Sequence, residues 1–83
     1  MKVSIYTISK TLFEGESIGL IIPTKTGQIT ILDNHEPLTT IADRGEILIT
    51  LPDRTEQSFK IQSGIIQVLP ENKAVLNVNA LFE

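Results

Sequence analysis

The feature that most constrains this chain is a run of turn signals set so closely that no long helix fits between them. They fall at Glu14-Gly15, Thr26-Gly27, Asn34-His35, Arg44-Gly45, Pro52-Asp53-Arg54, Ser63-Gly64 and Pro70-Glu71-Asn72. Each holds residues that accept tight or positive-φ backbone. Intervals of about 8 to 12 residues between such signals mark an all-β sandwich or barrel. The apolar residues between them agree. Ile47, Ile49 and Leu51 alternate with Leu48 and Thr50, Leu76, Val78 and Ala80 with Asn77 and Asn79, and Ile29/Ile31 and Ile66/Val68 bracket Thr30 and Gln67. Period-two alternation puts one set of side chains inward and the other outward, and the β-branched residues that dominate suit a pleated, half-buried surface. No window shows the i, i+3, i+4, i+7 spacing of an amphipathic helix. In the segment 71–83 Asn77 and Asn79 recur at strand spacing, so it reads as strand to about residue 79.

With 83 residues and no internal repeat, linker or shift in composition, the chain is one domain. It has no cysteine and one histidine, so disulfide scaffolds and soft-metal cages are excluded. Seven basic residues against ten acidic give a net charge of -3, which lacks the basic footprint of a nucleic-acid binder. No apolar run approaches the roughly 18 to 20 residues of a spanning helix, and the start MKVSIYTISK lacks the apolar stretch and cleavage site of a signal peptide. A soluble chain is expected.

Catalytic motifs are missing. Asp33, His35 and Glu36 could be read as metal ligands, but strand parity would send Glu36 away from the other two, and the Asx-rich, Pro-bounded setting says surface loop. There is no G-x-S-x-G elbow around Ser63-Gly64 and no phosphate-cradling G-x-x-x-x-G-K-[ST] or G-x-G-x-x-G. Without Trp and with one Tyr, a sugar platform is also disfavoured. Contact surfaces are left as the means of function.

The strings FEGES (13–17), IIPTKTGQITILDNHEPLTTI (21–41), RGEI (44–47), SGIIQV (63–68) and PENKAVLNV (70–78) together resemble the N-terminal domain of the ATP synthase epsilon subunit over about the whole chain. The most specific part is Pro23-Thr24, Gly27-Gln28, Ile31-Leu32 and Asn34-His35-Glu36-Pro37-Leu38, in the order and spacing of that family's glycine turn, short strand and histidine loop.

The resemblance implies a single all-β domain over residues 1–83, a ten-stranded β-sandwich or flattened barrel. It would be a non-catalytic rotor subunit of an F-type ATP synthase without cofactor, metal or membrane insertion, peripheral on the cytoplasmic face of the energy-transducing plasma membrane. By the same resemblance Gly27, Gln28, Asn34 and His35 would meet the c-ring, and Thr40, Ser63 and Gln67 would meet the gamma subunit. Gln28 stands where the family commonly has Glu, so a c-ring contact here is a neutral hydrogen bond of about 1 kcal/mol; on the gamma side Gln67 replaces the usual Glu and Ser63-Gly64 shortens the family's S-G-G. The family's helical hairpin does not follow, so coupling without an inhibitory latch is expected. The alternative is a free-standing β-sandwich that binds a ligand or regulates a partner, which requires a concave pocket with convergent polar groups.

Three structural expectations follow. Gln28 and His35 should lie at one end of the sandwich, Phe13 and Phe59 should belong to the core, and Leu81 and Phe82 should pack back on the sandwich or on gamma.

Overall fold

The computed structural model describes residues 1–80, which form strands β1 (Lys2–Tyr6), β2 (Thr11–Glu16), β3 (Gly19–Thr24), β4 (Gly27–Leu32), β5 (Leu38–Ala42), β6 (Gly45–Thr50), β7 (Glu56–Leu69) and β8 (Lys73–Ala80). No helix of these residues is long and apolar enough to cross a membrane. The all-β expectation holds, with eight strands rather than ten. Two of the expected turns do not interrupt a strand. Gly15 lies inside β2 opposite Val3, and Gly64 lies inside β7 between Ala42 and Val78. Leu81 and Phe82 lie outside the described residues.

The strands run β2-β1-β8-β7-β6-β3-β4 by hydrogen bonding, with β5 added to β7. Every pair is antiparallel except β1 with β8. The 14-residue β7 serves both layers. Its residues 56–61 pair with β6, and residues 64–68 pair with β5. One layer is thus β7-β6-β3-β4, and the other is β2-β1-β8-β7-β5.

The switch between layers depends on one extra residue. The register with β8 shifts between Ile61 and Ser63, and such a bulge bends a strand and reverses which parity faces inward. Before it Phe59 and Ile61 point to the core; after it Gly64, Ile66 and Val68 do. Val3, Ile5, Leu76 and Ile66 from one layer then join Leu20, Ile22, Ile31, Ile47 and Ile49 from the other in one buried cluster. Phe13 and Phe59 pack against that cluster with ring centroids 6.4 Å apart and planes tilted by 59°, as expected of core aromatics. Buried Ser17 fixes the β2–β3 connection. Its hydroxyl lies 2.8 Å from the carbonyls of Gly19 and Thr50 and accepts the Gly19 N–H at 3.0 Å.

Candidate functional site

Beyond β4 the chain turns through Asn34, held at φ 62°. The Met1 ammonium donates to Asp33 Oδ1 at 2.5 Å and to the Ser17 carbonyl at 3.0 Å. Asn72, in the β7–β8 turn, donates from Nδ2 to the same Asp33 oxygen at 3.0 Å and accepts the Asn34 N–H at 2.7 Å. These bonds clasp β1, the β4–β5 turn and the β7–β8 turn together. Half-buried His35 folds onto its own turn: its N–H donates to the Leu32 carbonyl at 3.1 Å, and Nδ1 lies 2.7 Å from the Glu36 carbonyl. A carbonyl can only accept, so Nδ1 is the donor in this contact.

The ammonium and Asn72, in that order of weight, hold the Asp33 carboxyl below its ordinary range, and Thr55 does the same for Asp53. A depressed carboxyl contributes stability above its unfolded pKa of about 3.9 and loses it as pH falls through the folded value. Urea midpoints should therefore drop on acidification below about pH 4, and Asp33→Asn should flatten part of that limb. An unchanged acid limb in the variant would contradict the clasp.

The β7–β8 turn gives a second check. Glu71 and Asn72 both have positive φ, 68° and 60°, a backbone region that favours Gly and Asn. Glu71→Gly should raise stability by about 0.5 to 1 kcal/mol, because left-handed backbone costs a side chain such as Glu about that much or more. Asn72→Gly should lower it, because the clasp is lost with the amide. Thermal or urea unfolding followed by circular dichroism separates the two.

The structure corrects the shared tip expected of Gln28 and His35. Gly27 and Gln28 begin β4, and Asn34 and His35 follow its far end. The five steps from Gly27 to Leu32 span about 17 Å at strand rise, in a molecule 28 Å in its longest dimension. The two sites therefore lie at opposite ends of β4 rather than side by side. Gly27 and Gln28 are exposed beside the exposed Lys25 and Thr26, whereas the histidine turn is engaged in the clasp.

Of the three positions assigned to gamma, two share a face. Register places Gln67 beside Thr39 and Val75, and Ser63 beside Asn79, all on the outer side of the β2-β1-β8-β7-β5 layer. Thr40 has the opposite parity, although it lines a second groove together with Ser63. It stands opposite buried Ile66 and so takes the inward parity.

Between Ser63 and Gln67 runs a row of four residues, Ile41, Ile65, Asn77 and Tyr6, one from each of β5, β7, β8 and β1. Sequence reasoning missed the two isoleucines. Their signal was the pair Ile65-Ile66: in a strand one of two adjacent apolar residues must face out. A groove of about 440 Å³ follows this row, lined also by Ile8, Ser63 and Asn79, and none of its lining residues is charged.

Among the described residues no three His, Cys, Asp or Glu side chains converge as metal ligands, and the grooves are open to solvent. The class defined by this geometry is a β-sandwich whose distinctive features are contact faces. Residues 1–82 match the family described as the β-sandwich domain of the ATP synthase delta/epsilon chain, and the chain belongs to that family. It is 36% identical over 75 residues to the ATP synthase epsilon chain of Chlorobium limicola, covering 90% of this chain and 84% of that one. It is 30% identical over 82 residues to the chloroplastic epsilon chain of Tetradesmus obliquus, covering 95% of this chain and 57% of that one. Its fold is similar to a chain in the Euglena gracilis mitochondrial ATP synthase structure of OSCP, F1 and c-ring, with TM-score 0.85, 16% identity and coverage of 92% of this chain and 48% of that one. A chain in the Tetrahymena thermophila central stalk and c-ring structure superposes with TM-score 0.79 at 16% identity, covering 94% of this chain and 62% of that one.

Proposed function

We propose that the chain is a non-catalytic subunit of an ATP synthase rotor that braces the gamma shaft and transmits torque between it and the c-ring. The observation that carries this reading is the family match over residues 1–82. The uncharged stretch of the outer face of the β2-β1-β8-β7-β5 layer that begins at Ser63 and Ile65, with Gln67 beside it, is the gamma side, since the centres of protein interfaces are depleted in charge; Lys2, Glu14, Glu16 and Lys73 lie at the other end of that face. The Gly27–Gln28 hairpin end is the c-ring side. It is exposed and free of the clasp, whereas Asn34 and His35 organise the opposite end of β4. The site of action is the periphery of the cytoplasmic face of the energy-transducing membrane.

Cysteine cross-linking in the assembled complex tests the orientation. Gln28→Cys should give a c-subunit adduct and His35→Cys none. An adduct from His35 alone would invert the molecule on the ring.

A further inference from the structure

The layer β7-β6-β3-β4 turns an apolar patch outward. Its strands point Leu20, Ile22, Ile31, Ile47 and Ile49 into the core, so the residues between them face out. Register lines four of these into a row across all four strands, Thr30, Ile21, Leu48 and Ser58, none of them charged. Ile21 and Leu48 are half-buried, and Leu32, opposite Gly19 in the next row, is 60% exposed. Scattered exposed apolar residues are ordinary, but a contiguous set marks a contact site. β3 and β6, which carry Ile21 and Leu48, are paired on both sides, and the free edge of β4 lies at the margin beyond Thr30. The patch is therefore a sheet face, the kind of surface that packs on another sheet face.

The charges around it choose the occupant. Outward along β7 stand Glu56, Ser58 and Lys60, in register with Thr50, Leu48 and Glu46 of β6. Glu56 and Lys60 thus flank the uncharged row, about 13 Å apart at strand rise. Among the described residues the one ion pair joins Met1 to Asp33, so neither Glu56 nor Lys60 is engaged by a charge of its own chain. A face with an apolar middle, a negative side and a positive side is complementary to its own copy. A twofold axis along the Leu48 row, at right angles to the strands, lays β7 over β7 of the copy with the flanking rows exchanged. Ile21 and Leu48 then meet their counterparts, and Glu56 of each chain meets Lys60 of the other. An axis along the strands would instead lay Glu56 and Lys60 over Leu32 and Gln28 of β4, desolvating both charges without a partner.

We infer that the free chain pairs with a second copy through this face, Ile21 and Leu48 against their counterparts and Glu56 against Lys60. Four strands by five residues is about 14 by 13 Å between backbones, well below the roughly 800 Å² per partner of a stable complex. The pair is accordingly weak, with a dissociation constant on the order of 10⁻⁴ M. The face lies on the layer away from Ser63 and Gln67, so the pairing does not rest on the gamma reading.

Sedimentation equilibrium of the full chain from about 10 μM to 1 mM reads the pairing directly. The wild type should pass from monomer to dimer across that range. Glu56→Lys and Lys60→Glu should each weaken pairing about tenfold or more, and the double variant, which restores both contacts with the charges exchanged, should return it close to the wild-type value. Leu48→Ser should abolish the dimer, with circular dichroism melts checking that each variant is folded. A monomer at every concentration overturns the inference. So does a dimer indifferent to the charge exchange, or one dispersed by Ile65→Ser on the other layer and not by Leu48→Ser.

Discussion

Gly64→Ala is expected to lower the unfolding free energy by about 1 to 3 kcal/mol, the range for overpacking a filled core. A Cβ at this position would lie 2.8 Å from Val78 Cγ1, 3.1 Å from the Asn77 carbonyl and 3.3 Å from Val78 Cα. Two of these three are backbone atoms of β8, which cannot step aside as the end of a flexible side chain can. The small row Ala42, Gly64 and Val78 lets β5, β7 and β8 close over the core just after the bulge. Against this cost stands the gain from a stiffer unfolded chain, about 0.4 to 1 kcal/mol, so the clash prevails. Gly15→Ala is the comparison, because its Cβ would meet only the Phe13 ring at an ordinary 3.5 Å. Urea unfolding followed by circular dichroism should show a large loss for Gly64→Ala and little change for Gly15→Ala. Equal midpoints for the two would contradict the packing account.

Lysine at Gln67 and lysine at Thr40 are expected to fail in different ways. Gln67 lies on the outer face between the uncharged Thr39 and Val75. A lysine there leaves the fold intact and brings an unpaired charge into the contact, weakening gamma binding by about tenfold or more. Thr40 pairs with fully buried Ile66 and is itself half-buried at the edge of an open groove, so its lysine brings a charge to the rim of the core and lowers stability instead. A binding titration paired with a melting curve separates the outcomes. Loss of affinity at Thr40 without loss of stability would show that the parity assigned to β5 is wrong.

The contrast between these positions shows what the sequence made legible. Alternation along Ile47, Ile49, Leu76 and Val78 identified core strands because a strand with one wet face has one reading. Two glycine dipeptides misled because glycine marks either positive φ or close backbone approach. Gly45 is of the first kind, with φ 155°, whereas Gly64 has no such φ and is of the second. The bulge between Ile61 and Ser63 was invisible to pattern reading, since it follows from pairing with a distant strand. It also decides which of Ser63, Gly64 and Gln67 face out. The histidine loop was read correctly as a turn. Its separation from Gln28 required knowing that an unbroken strand, β4, lies between them. Ile41 and Ile65 drew no reading because the alternation followed the buried parity of their strands.

The most direct measurement of the central claim is size-exclusion chromatography of the chain mixed with the gamma subunit and the detergent-solubilised c-ring from its own source. The account predicts that all three co-elute, and that Gln67→Lys lowers the share of the chain in the complex peak. A wild-type chain that elutes alone in the presence of both partners would contradict it.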